Sequence, residues 1–249
     1  MKLLLDLGNS ALKWSLLGPQ GLSEPESHVH MCDPATAQWA LEEARLDYSQ
    51  ITQACICNVA DPELEQVVIH FLESHVPVKQ VKVESGAYGL TCAYDDVSRF
   101  GADRWVSMIA AHNLYPDQAK LVVDIGTAVT LDGITASGAH LGGQILPGIE
   151  MMQYSLGRGT AQVGFVSNDP SAPPWFCNST EQGVDSGTRH AVACLIESTY
   201  AQLTSTHGSD SVLVVTGGGL EMIKPLIRVT MQSEPTLIFQ GLGLIVDQQ

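Results

Sequence analysis

Two segments of this 249-residue chain set a carboxylate, a glycine and a small polar side chain at the end of an apolar run. In the first, Asp6 lies in the run Leu3 to Leu7 and is followed by Gly8, Asn9 and Ser10. In the second, Asp124 lies in the run from Leu121 and is followed by Gly126 and Thr127. An aspartate ending a buried strand projects its carboxylate from the sheet edge. Glycine lets backbone approach a ligand closely, and the N–H groups of such a turn, with a hydroxyl or amide beside them, can cradle phosphate oxygens. Lys13, beyond Asn9 on the next run, can add a positive charge. Gly-Asn is also an ordinary hairpin turn, so either segment alone reads equally as a plain connection. Two copies change the balance. On halves related by a pseudo-twofold axis, both turns would face one cleft, gripping phosphates while the carboxylates hold the cations that screen them.

Three further segments carry possible chemistry. Gly101, Ala102, Asp103, Arg104 and Trp105 open an apolar-periodic stretch. Asp103 there is either a helix cap or a general base that accepts a hydroxyl proton during phosphoryl transfer. Arg104 either pairs with a surface carboxylate or holds an anionic substrate group in its planar fork. Thr216 to Gly219 joins a strand to a helix, where backbone and helix N-terminus can contact a nucleotide. Gly142 to Gly148 is a strand bracketed by glycines, with Pro147 able to start a helix, and reads as a tight corner near the cleft.

The elements that must position these residues follow from pattern. A hairpin is expected from Leu3 to Leu7 and Ala11 to Leu17, then a turn at Gly18 to Gly21 and a strand at 28–31. Helices are expected at Pro34 to Leu46, Glu63 to His75 and Asp103 to Leu114. Strands are expected at Ile51 to Val59 and Val78 to Val83. The pattern then restarts, with strands from Leu121, at Val129 to Ile134, near His140 to Leu146 and at Val212 to Val215, and a helix from Leu220. Asp6 matches Asp124, Gly8 matches Gly126 and Asn9 matches Thr127. An internal duplication is expected, with domains 1–118 and 119–249.

Composition limits the partners. Hydrophobic residues make up 45% and charged residues 16%, which suits a globular α/β core. The net charge of −15 repels phosphate backbones and anionic membranes, so nucleic acid is not expected as a partner. No apolar run reaches the ~18–20 residues of a membrane span. Asp6 interrupts the apolar stretch that a secretory leader would need, and a cytoplasmic location is expected. The six cysteines form no CxxC pair and are expected reduced. His28, His30 and Cys32 could form a metal cluster, but their alternation reads better as one face of a strand.

These motifs, in this order, resemble the type III pantothenate kinases, of the superfamily of sugar kinases, actin and Hsp70-type ATPases. The resemblance rests on DLGNSALKW at 6–14, YDDVSRFGADRW at 94–105, DIGTAVTLD at 124–132, GGQILPG at 142–148, STEQGVDSG at 179–187 and TGGG at 216–219. It implies two duplicated RNase H-like, actin-like ATPase domains, each a mixed five-stranded sheet flanked by helices. It also implies ATP-dependent phosphorylation of pantothenate, the first step of coenzyme A synthesis. Carried onto matching positions, Asp6, Leu7, Gly8, Asn9, Ser10, Ala11, Leu12, Lys13 and Thr127 would bind ATP. Asp103 would be the catalytic base. Gly101, Ala102, Asp103 and Arg104, with Tyr94 and Thr180, would contact pantothenate. Asp124 would hold a monovalent cation, potassium or ammonium, beside the magnesium that travels with ATP. The resemblance further implies a homodimer. The chain departs from the family pattern at Cys92-Ala93, where Asn-Gly is expected, at Val97 in place of a proline, and at Arg99-Phe100 in place of a small apolar residue before GADR. The Tyr94-to-Gly101 spacing is kept.

Two other classes fit parts of the chain. A kinase of the same superfamily acting on another small alcohol would phosphorylate several alternative acceptors. A non-enzymatic regulator would tolerate substitution of Asp103 and Asp124.

Overall fold

Leu3, Leu4, Leu5 and Leu7 are all fully buried in β1 (Lys2–Leu7). Burial of successive residues marks a strand covered on both faces. A hairpin leads to β2 (Ala11–Gly18), whose outer edge is shared by two short strands, β3 (Gly21–Leu22) and β4 (Glu26–Val29). Then come α1 (Pro34–Glu43), β5 (Gln53–Asn58), α2 (Pro62–Glu73), β6 (Val78–Gln80) and α3 (Ala102–Leu114). Both α1 and α2 start on an Asp-Pro pair. Asp33 and Asp61 accept N–H bonds of the first turn, and proline follows where no N–H is needed. The sheet order is β3-β2-β1-β5-β6 with β4 beside β2, antiparallel through the hairpin and parallel from β1 onward. This sheet has six strands rather than the expected five: the turn at Gly18 to Gly21 forms as expected, and beyond it Gly21 and Leu22 pair back on β2 as an additional short strand. The third strand stops at Val29, so His28, His30 and Cys32 do not share a strand face.

The structure, a computed structural model, describes residues 1–159 and 169–248. It divides into two units. The first holds Met1–Tyr88, Tyr94–Asn113 and the segment from Thr236; the second holds Gly89–Ala93 and the stretch from Leu114 to Pro235. The units are therefore not the unbroken stretches 1–118 and 119–249. The C-terminal helix (Leu237–Asp247) belongs to the first unit, where it packs on β1, β2 and β5. Lys79 holds its end by donating to the carbonyls of Ile245 at 2.8 Å and Gln248 at 2.7 Å, which satisfies carbonyls left over at a helix terminus. Lys2 adds an ion pair to Asp247.

The second unit repeats the plan. It runs β7 (Lys120–Ile125), β8 (Ala128–Ile134), β9 (His140–Pro147), α4 (Ile149–Gly159), α5 (Thr180–His207), β10 (Val212–Thr216), α6 (Leu220–Ile223) and β11 (Gln232–Ser233). Its order is β11-β10-β7-β8-β9, again antiparallel through the hairpins and parallel from β7 to β10 and β11. Leu121, Val123 and Ile125 pack with Val192 and Ile196 of α5 and Leu213 and Val215 of β10. Ser179 caps α5 by accepting from the Gln182 N–H. Buried Arg189 anchors the approach to α5, donating to the carbonyls of Asp169 at 3.0 Å and Ser171 at 2.7 Å.

The C-terminal helix meets α3 through a glycine. A Cβ at Gly241 would overlap the carbonyl oxygen and a methyl of Val106. Gly241→Ala gains about 1 kcal/mol of helix propensity but forces apart two buried backbones, an overpacking cost of about 1–3 kcal/mol. A net loss of stability is expected, read as a lower urea midpoint than wild type; an unchanged or higher midpoint would show that the two helices can separate freely.

Candidate functional site

Strand parity decides where the first carboxylate goes. Leu3, Leu5 and Leu7 join α1 and α2 in the core, so Leu4 and Asp6 turn to the opposite face. On β5 the same parity sends Ala54 and Ile56 into that core and leaves Cys55 and Cys57 beside Leu4 and Asp6. Asp6 is nearly buried and stands opposite Lys13, whose Nζ lies 3.7 Å from the carboxylate. The lysine side chain is 44% exposed, so the pair is loose and the ammonium can reach another anion. Leu7 and Leu12 are fully buried core residues and offer a ligand only their backbone. Between them the turn is closed by the Gly8 N–H donating to the Ala11 carbonyl at 3.0 Å, with Asn9 exposed at its tip.

The segment 94–105 builds a second cluster in the same unit. The Gly101 carbonyl accepts from the Trp105 N–H at 3.1 Å, so α3 starts at Ala102 and Asp103 lies inside the first turn. Its Oδ1 accepts the Arg104 N–H at 2.7 Å. A Cβ at Gly101 would come 2.5 Å from Asp103 Oδ1, so glycine leaves that oxygen its place. Asp103 also reaches the first cluster. Burial, then Asp6, then Asp103 push the Cys57 thiol well above its usual range. Burial and the two carboxylates thus all favour the neutral form of this thiol.

Arg104 is buried, and its guanidinium is held by aromatic rings. Nη1 donates to the Tyr94 hydroxyl at 3.1 Å, and the guanidinium carbon lies 4.4 Å from the Phe100 ring centroid and 5.7 Å from that of Tyr94. The two rings meet edge to face at 4.9 Å, and Phe100 leans on the fully buried Trp105. Phe100 thus packs on Arg104, a contact that the motif alone did not indicate. The available signal was an aromatic ring directly before an arginine-bearing motif, where a small residue was expected.

In the second unit Leu121, Val123 and Ile125 face the core, and Asp124 takes the other face of β7, half-buried. Asp124 stands opposite Thr130, not a lysine. The turn after it is one residue shorter than its counterpart: Ile125 pairs with Val129, whereas Leu7 pairs with Leu12. Its Gly126 N–H donates to Ala128 at 3.0 Å, and Thr127 is exposed. Gly148 donates to the Thr127 carbonyl at 2.8 Å, and a Cβ on Gly148 would collide with the carbonyls of Gly126 and Thr127. Gly217, at φ +95°, lies against Asp124 Oδ1 and the Ile125 carbonyl, and the Gly219 N–H donates to that carbonyl at 2.9 Å. Gly148 of GGQILPG and Gly217 and Gly219 of TGGG therefore pack onto the second turn. Thr180 is the exposed first residue of α5. Among the described residues no group of three or more His, Cys, Asp and Glu side chains could hold a metal, the histidines and Cys32 of 28–32 included.

A model of the type III pantothenate kinase family matches residues 2–202. A type III pantothenate kinase from Paraburkholderia phymatum is 32% identical over 272 aligned residues, spanning 99% of this chain and 94% of its own. Among solved structures, one from Campylobacter jejuni, described as a Baf family transcriptional activator, has a TM-score of 0.62 at 20% identity, covering 99% of this chain and 98% of that one. Another, from Sinorhizobium meliloti and assigned as a 2-dehydro-3-deoxygalactonokinase, has a TM-score of 0.58 at 14% identity, covering 99% and 96%. At those identities the structures speak for the fold alone, two RNase H-like domains of the sugar kinase and actin-like ATPase class. With the family model matching most of its length and a relative aligned from end to end, this chain belongs to the type III pantothenate kinase family.

Proposed function

We propose that this chain transfers the γ-phosphoryl group of ATP to the primary hydroxyl of pantothenate, with Asp103 as the general base. The observation that carries this reading is the pairing, on one helix turn, of a half-buried carboxylate with an arginine held by Tyr94 and Phe100. Arg104 would hold the pantothenate carboxylate, and its ring contacts fix the plane of the fork so that little freedom is lost on binding. Asp103 would accept the hydroxyl proton as that oxygen bonds to the γ-phosphorus. The bond from the γ-phosphorus to the β–γ bridging oxygen breaks, and ADP leaves with its electron pair. Positioning supplies most of the rate in such a transfer. Tyr94, Gly101, Ala102 and Thr180 complete the proposed pantothenate contacts.

ATP is assigned to the turn from Asp6 to Lys13 and to Thr127. Asp6, Asn9, Ser10 and Lys13 offer side chains there, and the remaining residues offer backbone. Magnesium bound with ATP neutralises charge on its phosphates. Asp124 is assigned a monovalent cation, potassium or ammonium. Thr130 opposite it brings no competing positive charge, in contrast with Lys13 opposite Asp6. A homodimer belongs to the same reading, and Trp175 and Phe176, at 58% and 96% exposure, are apolar surface it could bury. A cytoplasmic location belongs to the same reading; no described helix is long and apolar enough to cross a membrane.

Asp103→Asn keeps the shape of the site and removes the base. Turnover is expected to fall by about a hundredfold to ten-thousandfold, while ATP affinity, read by titration calorimetry, stays near wild type. Wild-type turnover in this variant would remove Asp103 from the chemistry.

Phe100→Leu keeps bulk and removes the ring beneath Arg104. The KM for pantothenate is expected to rise on the order of tenfold, the worth of a desolvated cation–π contact, with the KM for ATP unchanged. An equal rise in both constants would show that Phe100 serves general packing instead.

A further inference from the structure

The turn from Gly8 to Ser10 is gripped from behind by residues 30–32, which lie outside the motifs of the family resemblance. The His30 N–H donates to the Ser10 carbonyl at 3.0 Å, and the Met31 N–H reaches the same oxygen at 3.4 Å. His30 Nε2 lies 3.0 Å from the Gly8 carbonyl, and Cys32 Sγ lies 3.0 Å from the Asn9 carbonyl. All three carbonyls of the turn are therefore engaged by residues 30–32. A trans peptide is planar, with its N–H opposed to its C=O, and this chain has no cis peptide among its described residues. Holding the carbonyls of Gly8 and Asn9 toward residues 30–32 thus turns the N–H groups of Asn9 and Ser10 to the opposite side. That is the orientation a phosphate cradle needs.

The histidine is itself fixed. It is 1% exposed, and its Nδ1 accepts the Cys32 N–H at 3.0 Å. With Nδ1 as acceptor, Nε2 carries the proton and donates to Gly8, so the ring works here as a neutral tautomer. Burial lowers its pKa, against the opposing pull of the Gly8 carbonyl, and favours that neutral form. The chain bends back under the turn through two left-handed residues, Met31 at φ 49° and Cys32 at φ 63°. Non-glycine residues hold such angles only where the surroundings enforce them.

We infer that His30 is a positioning residue for ATP binding, its imidazole orienting the peptide groups of the Gly8–Ser10 turn toward the nucleotide phosphates. The inference rests on the assignment of that turn to ATP. It does not place His30 in contact with substrate.

The test uses the full-length protein, calorimetric binding of a non-hydrolysable ATP analogue with magnesium, steady-state kinetics for both substrates, and thermal denaturation of every variant. In His30→Ala, the dissociation constant for the analogue and the KM for ATP should rise about tenfold, the worth of the lost hydrogen bonds, and the KM for pantothenate should stay within twofold. His30→Gln, whose amide N–H reaches the place of Nε2, should recover most of the loss. If His30→Ala does not fold, His30→Asn takes its place: it keeps an acceptor near Nδ1 but cannot reach Gly8, and should show the same loss relative to His30→Gln. Nucleotide binding unchanged in these variants, or both KM values rising together, or no recovery with glutamine in a folded protein, would overturn the inference. Asp6→Asn and Lys13→Ala separate the two claims. If they too bind the analogue as wild type does, the assignment of the turn to ATP fails; if they weaken it and His30→Ala does not, only the role of His30 fails.

Discussion

The alternation of side chains along two central strands governs where this protein can do chemistry. In β1 the leucines at 3, 5 and 7 must face the α1–α2 core, and in β7 Leu121, Val123 and Ile125 must face the α5 core. A residue between them, one step before the strand ends, has no choice of face. Asp6 and Asp124 occupy those places. A one-residue slip of either strand would bury its carboxylate in a hydrocarbon core at a cost no partner there could offset. The packing that stabilises each sheet and the placement of each carboxylate are one constraint. Parallel neighbours then bring further loops to the same ends of the strands: the one after Asn58 in the first unit, Thr216 to Gly219 in the second.

The two turns share an origin in sequence but are supported differently. Glycines press directly on the second: Gly148 on the carbonyls of Gly126 and Thr127, Gly217 and Gly219 on Asp124 and Ile125. Side chains and strained backbone at 30–32 hold the first, which is one residue longer. The residue opposite each carboxylate differs as well, Lys13 in one case and Thr130 in the other. The duplicated frame thus sets a lysine across from one carboxylate and a threonine across from the other.

Most of the frame was legible because it is local. Apolar runs of strand length, Asp-Pro helix starts and glycine turns each state their own conformation. The repeat of aspartate, glycine and a hydroxyl or amide residue exposed the duplication. Legibility failed where a long-range contact decides the outcome. The C-terminal helix contains Gly241 and Gly243, poor helix formers, and is helical because seven of its residues are buried against the first unit. Strand β4 ends at Val29 because the chain must turn back under the Gly8–Ser10 turn, which alternating His28, His30 and Cys32 do not announce. In the site, GADR marked Asp103 and Arg104, but the packing of Phe100 and Tyr94 around the guanidinium needed the fold.

The most direct test of the account is phosphate transfer from magnesium-ATP to pantothenate by the purified protein, followed in potassium buffer and again in sodium buffer. Formation of phosphopantothenate that depends on potassium is the predicted result, because it requires the base, the nucleotide turn and the cation carboxylate to act together. A folded protein that makes no product in either buffer would contradict the assignment of pantothenate as its substrate.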